Sequence, residues 1–388
     1  MKKICSDSFY GLNYIGIKEK MRVIKMLNNK SLFRYDGVRM CYESAKVENK
    51  LKVMFKQDML LVNNGTSALK LCLVANNIGY GDEVLVPCLT FISTAACCLS
   101  VGAIPVFVEV DDTLNIDVND IEKKITSKTK AVIVVHYQGF PCDMKNILKI
   151  AKKNNIKVIE DTAQAFGAMY NNKLLGTFGD ASAFSFQACK IITCGEGGAF
   201  TSKNNFVDCM RYADNGGDRP FDSYPSWDKD SVSYGENFKI TDLQSAILNC
   251  QLNKLDKIIL KQEKIYNYLI KNLKGYHIRK IISNSKPIYM SLCIIFKNEK
   301  ECQKFIKYTN KYGVSFETKI GNFLPNYNTF KNQKSWHSSG YPYKNYRVNK
   351  CLNSRKIIER SSFLPLNSKL SKRELKYIVK VLNSYDIK

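Results

Sequence analysis

Between residues 59 and 161 the chain returns again and again to short apolar runs. They are Met59–Val62, Glu83–Val86, Ile104–Val108, Ala131–Val135 and Val158–Ile159. The stretches between them have helical character, around 65–75, 90–100, 118–124 and 143–154. A strand with one wet face alternates apolar and polar residues, and these runs do not, so both of their faces must be buried. Buried strands separated by helices dictate an α/β fold with a mostly parallel central sheet sandwiched by helices. A chain of 388 residues also leaves room for a second, smaller unit. After residue 252 the sequence turns more basic and mixes strands with helices. The expected division is a large domain over 1–251, with helical segments near its start (Lys18–Asn28 and Glu43–Lys56), and a small α+β domain over 252–388.

The capping pattern Thr241-Asp242-Leu243-Gln244 predicts one long helix running to about Leu273. A polar loop, Asn215–Asn237, precedes it and has the length of a functional loop. The stretch from Val84 to Val108 carries no charge and is long enough to span a bilayer. Pro87, Gly102 and Pro105 divide it into strand, turn, helix and strand, so it reads as buried core. Met1–Asp7 shows no apolar signal core.

The formal charge of +24 is scattered, with no dense Lys/Arg run, which argues against nucleic acid or membrane as partner and suits anionic small molecules. Fourteen cysteines contain no Cys-x-x-Cys pair, and there are only three histidines. No metal site is expected on spacing. Cys72, Cys97, Cys98, Cys250 and Cys293 sit in apolar patterns as small core residues. A reducing, cytoplasmic setting follows.

Ligands bind beyond the carboxyl ends of parallel strands, and polar residues recur there. Asn64-Gly65-Thr66-Ser67 opens a helix whose free amides and dipole favour a phosphate. His136-Tyr137 follows the fourth run and is able to line a cleft or to be structural. Asp161, at the end of the fifth, can pair with a cationic ring nitrogen or simply cap a helix, and Gln164 lies three residues on. Then Ser185-Phe186-Gln187-Ala188-Cys189-Lys190 leads into Gly195-Glu196-Gly197-Gly198. A lysine between packed elements, beside a glycine turn, becomes nucleophilic when desolvation lowers its pKa. A phosphate site, an acid and a buried lysine, in that order, are the needs of pyridoxal 5'-phosphate chemistry.

The motifs NNGTSAL, GDEVLVPCLTFISTA, GAIPVFVEVD, IEDTAQAFGA, LGTFGDASAFSF, KIITCGEGG and GENFKITDLQSAI resemble those of the DegT/StrS-type sugar aminotransferases, fold-type-I pyridoxal-phosphate enzymes. The resemblance is strong over roughly 15–260 and looser beyond. It implies that Lys190 forms the Schiff base with the cofactor and that Asp161 partners the pyridine nitrogen. It places Gln164 near the ring hydroxyl, Thr66, Ser67 and Ser185 on the phosphate, and Phe91 stacked on the ring. Asn237 is implied to reach the neighbouring subunit's cofactor, hence a homodimer with shared sites. Glutamate or glutamine is the implied donor and a keto- or aldehydo-sugar the acceptor, in surface polysaccharide or lipopolysaccharide synthesis.

The family's sugar dehydratases carry histidine at the lysine position, so Lys190 favours transamination over a dehydratase or a regulator that merely keeps the fold. Lys239 replaces the usual arginine, and His136-Tyr137-Gln138-Gly139 and Gly321–Tyr343 also depart from the family pattern. The substrate is therefore left open between a nucleotide-linked 3- or 4-keto-hexose and an eight-carbon keto-sugar acid of the Kdo type.

Overall fold

A computed structural model describes residues 4, 10–34, 42–217, 232–343, 346 and 348–386. Residues 218–231, the middle of the expected polar loop, lie outside the described residues, as do 35–37 of the irregular link that follows the first helix. The strands, in chain order, are β1 (Leu60–Val62), β2 (Glu83–Pro87), β3 (Ile104–Val108), β4 (Thr129–Val135) and β5 (Lys157–Asp161). Next come β6 (Met169–Tyr170), β7 (Lys173–Leu174), β8 (Ala181–Ser185) and β9 (Gly198–Ser202). The last are β10 (Ser285–Lys286), β11 (Ser291–Ile295) and β12 (Ser361–Pro365).

Seven of them form one sheet in the order β1-β9-β8-β5-β4-β2-β3. Every neighbouring pair between β8 and β3 is parallel. β9 is antiparallel to both β1 and β8, so it alone runs against the rest.

Both faces of this sheet are dry, as the unbroken apolar runs require. Successive strand residues point to opposite sides. Ile133 enters one core with Ala68, Leu71, Cys72 and Ala95 from the helices Gly65–Ala75 and Ser93–Ser100. Its neighbours Val132 and Val134 enter the other, with Val47, Leu51, Met144, Ile147 and Leu248. The uncharged stretch Val84–Val108 is thus buried core, and no helix among the described residues is long and apolar enough to cross a membrane. A third core, around Leu269, Leu292, Phe305, Phe316 and Ile378, belongs mainly to the C-terminal part. That part also leans on the sheet, since Phe323, Phe330, Ile358 and Phe363 join the first core.

Two element boundaries differ from the sequence reading. The single long helix is two, Asp242–Leu252 and Leu255–Asn272. The chain turns at Asn253-Lys254, where the Lys254 ammonium is drawn onto the carbonyl of Tyr14 at 2.6 Å and the carboxylate of Glu19. The helix expected from Thr90 begins at Ser93, which leaves Phe91 ahead of it, its carbonyl accepting the Thr94 amide at 3.2 Å.

The second of the N-terminal helices is held by a cap lent from elsewhere. Helix Glu43–Phe55 starts after Tyr42, whose side chain makes no cap hydrogen bond. Buried Asp242 supplies the missing acceptor, taking the amides of Glu43 and Ser44 at 3.0 and 2.9 Å and the Ser44 hydroxyl at 2.5 Å. A carboxylate at a helix N-terminus satisfies orphan donors and meets the positive end of the dipole. Asp242→Ala is expected to destabilise the fold by about 3 kcal/mol, read as a lower urea midpoint. An unchanged midpoint would remove Asp242 from this role.

Candidate active site

β1, β8, β5, β4 and β2 all point the same way, so their carboxyl ends share one edge of the sheet. Beyond β1, the Asn64 side chain accepts the Ser67 amide at 2.8 Å and caps helix Gly65–Ala75. The Ser67 hydroxyl donates to Asn63 at 2.7 Å, and Thr66, exposed, donates to the Ser93 hydroxyl at 2.8 Å. Ser185 ends β8 directly against this helix start. A Cβ added to Gly65 would lie 2.9 Å from Ser185 Cβ, so only glycine lets the two approach. The three hydroxyls expected to hold a phosphate are therefore grouped at one helix N-terminus.

Asp161 and Lys190 form the electrostatic centre. Asp161 is buried, with its carboxylate accepting from Thr94 Oγ1 at 2.9 Å and the Ala163 amide at 3.1 Å. Burial raises its pKa above the ordinary carboxylate range, against these two donors and the charge of Lys190. The Lys190 amine is enclosed, although the residue as a whole is half-buried. Burial pulls its pKa below the ordinary range for an amine, against the charges of Asp161, Cys189 and Glu196.

The loop from Phe186 to Gly197 that carries this lysine is closed at its ends by the Phe186 amide on Gly197 O at 2.8 Å. Gly195 turns it with φ +89°. Gly11 presses on it from outside, donating to Lys190 O at 2.9 Å where a Cβ would meet the Thr193 amide at 2.8 Å.

Around this centre, Phe91 stands 60% exposed at the end of β2, an aromatic face with no cover of its own. Gln164 accepts the Gln138 amide at 3.0 Å, which fixes its carbonyl end. Asn237 is exposed. Its side chain accepts the Lys239 amide at 3.3 Å and its carbonyl accepts from Asn63 at 3.5 Å, beside the helix start. Lys239 itself pairs with buried Asp214, so that departure from the family pattern is met inside the protein. Along Gly321–Tyr343, Phe330, Trp336 and Tyr341 join Tyr80, Ile92 and Ala96 in lining a cavity of about 810 Å³ along helix Ser93–Ser100; it runs toward the amino ends of β2 and β3, and neither Asp161 nor Lys190 lines it.

His136 is structural. It is fully buried, its Nδ1 accepts the Cys142 amide at 3.1 Å, and its Nε2 therefore carries the proton toward Glu160 at 3.2 Å. Sequence reasoning missed two features. One is the hydroxyl relay from Thr90 to Thr94 (2.9 Å) to Asp161, whose signal was the i,i+4 spacing of the threonines at a helix start. The other is Glu160, passed over as the neighbour of Asp161. It is fully buried and accepts the amides of Gly176, Phe178 and Gly179 at 2.8, 2.7 and 2.7 Å. Burial would raise its pKa, but His136 and the Gly179 and Gly176 amides outweigh burial and hold it below the ordinary value.

With this geometry in hand, the comparisons with known proteins are direct. Residues 18–383 match the DegT/DnrJ/EryC1/StrS aminotransferase family. A GDP-perosamine synthase of Escherichia coli O157:H7 is 42% identical over 217 residues, 55% of this chain and 58% of that protein. That match spans little more than half of the relative's length. A dTDP-3-amino-3,6-dideoxy-alpha-D-galactopyranose transaminase of Aneurinibacillus thermoaerophilus is 34% identical over 329 residues, 84% of each chain. Among solved structures, an aminotransferase from Psychrobacter cryohalolentis superposes with a TM-score of 0.83 at 26% identity, over 95% of this chain and 96% of that one.

The Glu160 network is testable without any ligand. A carboxylate whose pKa is depressed on folding contributes stability above its ordinary value of 4.5, and that stability is lost as the pH falls through the native value. Glu160→Gln is expected to be less stable than the wild type at neutral pH and to show a shallower loss below about pH 4.5. Identical acid-unfolding curves would sink the assignment.

Proposed function

The chain belongs to the DegT/DnrJ/EryC1/StrS aminotransferase family, and on that premise we propose that it transfers an amino group to a nucleotide-linked keto-hexose using pyridoxal phosphate. Glutamate or glutamine is the proposed donor, and the product is proposed to serve a bacterial surface polysaccharide, lipopolysaccharide included. One observation carries the reading: a desolvated lysine amine and a buried carboxylate feel each other's charge beside a glycine-opened helix N-terminus. The names of the relatives, a GDP-linked and a dTDP-linked sugar enzyme, weigh for a nucleotide-linked acceptor over an eight-carbon keto-sugar acid.

The residues fit the cofactor. Asp161 is a buried anion whose oxygens take one hydroxyl and one amide, which suits a protonated ring nitrogen as the further partner. The Lys190 amine makes no hydrogen bond or ion pair among the described residues and has a lowered pKa, the state of a nucleophile. When bound, pyridoxal phosphate supplies an aldehyde that condenses with amines and a ring that accepts negative charge from the adjacent carbon.

In this proposal each residue has a task. Thr66, Ser67 and Ser185 bind the phosphate at the helix dipole. Asp161 keeps a proton on the ring nitrogen, held in place by the threonine relay. Gln164 hydrogen-bonds the ring hydroxyl, and Phe91 stacks on the ring. Lys190 Nζ takes a proton from the donor's α-carbon and later delivers one to the sugar carbon, a general acid–base role worth about 10²–10⁴ in rate. Exposed Asn237 crosses to a second copy in a cytoplasmic homodimer with shared sites.

The test is the visible spectrum of the protein with pyridoxal phosphate, before and after L-glutamate. A band in the visible that converts on adding glutamate is expected, together with a loss of turnover of at least about 10²-fold in Lys190→Ala. Asp161→Asn should lower kcat more than it raises KM. A wild-type band untouched by both glutamate and glutamine would overturn the transaminase assignment.

A further inference from the structure

Three residues distant in sequence converge behind the site. Cys88 follows β2, Glu109 follows β3, and Cys351 sits at the start of helix Leu352–Glu359. Two sulfurs and a carboxylate oxygen from them lie within 4.8 Å of one another. Both cysteines are buried, at 0% and 1%, while Glu109 is half-buried and leaves a way in from solvent. Cys351 holds a left-handed backbone, φ 43°, a conformation a side-chain-bearing residue rarely adopts.

We propose that Cys88, Cys351 and Glu109 bind one thiophilic divalent cation of the zinc class. Tetrahedral zinc, with sulfur at about 2.3 Å and oxygen at about 2.0–2.2 Å, sets its donors about 3.5–3.8 Å apart. The three donors therefore need to close by at most about an ångström to complete the shell. The Ser354 amide donates to Glu109 Oε2 at 2.7 Å, and its hydroxyl touches the same oxygen. Such an outer contact orients a ligating carboxylate and leaves its second oxygen for the metal. Water takes the fourth position.

A divalent ion beside buried thiols favours their thiolate form. On binding, each thiol gives its proton to the buffer and its sulfur pair to the metal. Two thiolates and a carboxylate then face two positive charges, and Lys124 offsets the remainder.

The metal would pin three elements together under the site. Cys88 O accepts the Leu324 amide at 2.8 Å, and the amide of Thr90, two residues on, donates to Asn322 O at 3.1 Å. Thr90 begins the hydroxyl relay to Asp161, and Phe91 follows it. The ion thus braces the wall that carries both, whatever reaction the site performs.

The experiment uses the full chain with its cofactor, stripped of metal by chelator and titrated with zinc and with cadmium. The expected result is one equivalent per chain, an ultraviolet cadmium–thiolate band, and a thermal midpoint that rises with zinc. Cys351→Ser should abolish that equivalent, and Glu109→Gln should weaken it by about tenfold or more. The cofactor's visible band, unchanged in each variant, reports that the fold is intact. If Cys351→Ser does not fold, the intensity of the cadmium–thiolate band in the wild type decides, two thiolates per ion being expected. Wild-type binding equal to that of the variants, a band below two thiolates per ion, or recovery of a Cys88–Cys351 disulfide from protein purified without reductant would each overturn the proposal.

Discussion

Two carboxylates stand next to each other at the end of β5, and the rest of the site depends on their opposite fates. Glu160 and Asp161 point to opposite faces, as neighbours in a strand must. Protein amides and His136 satisfy Glu160 almost completely, and in doing so they fix the turn 175–179 and the end of β4. Among the described residues, the Asp161 carboxylate receives one hydroxyl and one amide. A buried charge that is fully paired becomes structure, while one left partly paired becomes available to a ligand. The strand can hold the second because the first anchors it.

Asp161 and Lys190 act on each other. Burial lowers the pKa of the amine and the carboxylate opposes that shift, while burial raises the pKa of the carboxylate and the lysine's charge opposes it in turn. In the proposed reaction the amine serves as both base and acid.

Much of this was legible in the sequence because the signals are local. Apolar runs without alternation announce buried parallel strands, and Asn64-Gly65-Thr66-Ser67 announces a helix start. What stayed hidden depends on contacts between distant segments. Asp242 caps a helix that starts at Glu43, and no local pattern records it. The break at Asn253-Lys254 comes from a tertiary pull on Lys254, against good helical propensity on both sides. His136, open in the sequence to cleft or core with the structural reading favoured, is fixed in the core by the Cys142 amide and Glu160. Spacing rules see only neighbours in the chain, so they did not single out Cys88 and Cys351, whose sulfurs meet across the fold.

The reversed direction of β9 has a kinetic meaning. Because β8 and β9 lie side by side and antiparallel, the lysine's loop is clasped at both ends by the same ladder, and Gly11 holds it a third time. Most residues at the ends of parallel strands sit on loops that wander off into a helix. Lys190 instead hangs from a short, closed bridge. An amine so tethered explores a small volume, and its effective concentration at any point it can reach is far above that of a free competitor. In the proposed reaction this tether lets the residue release a partner and recapture it without a search, ahead of small amines from solution.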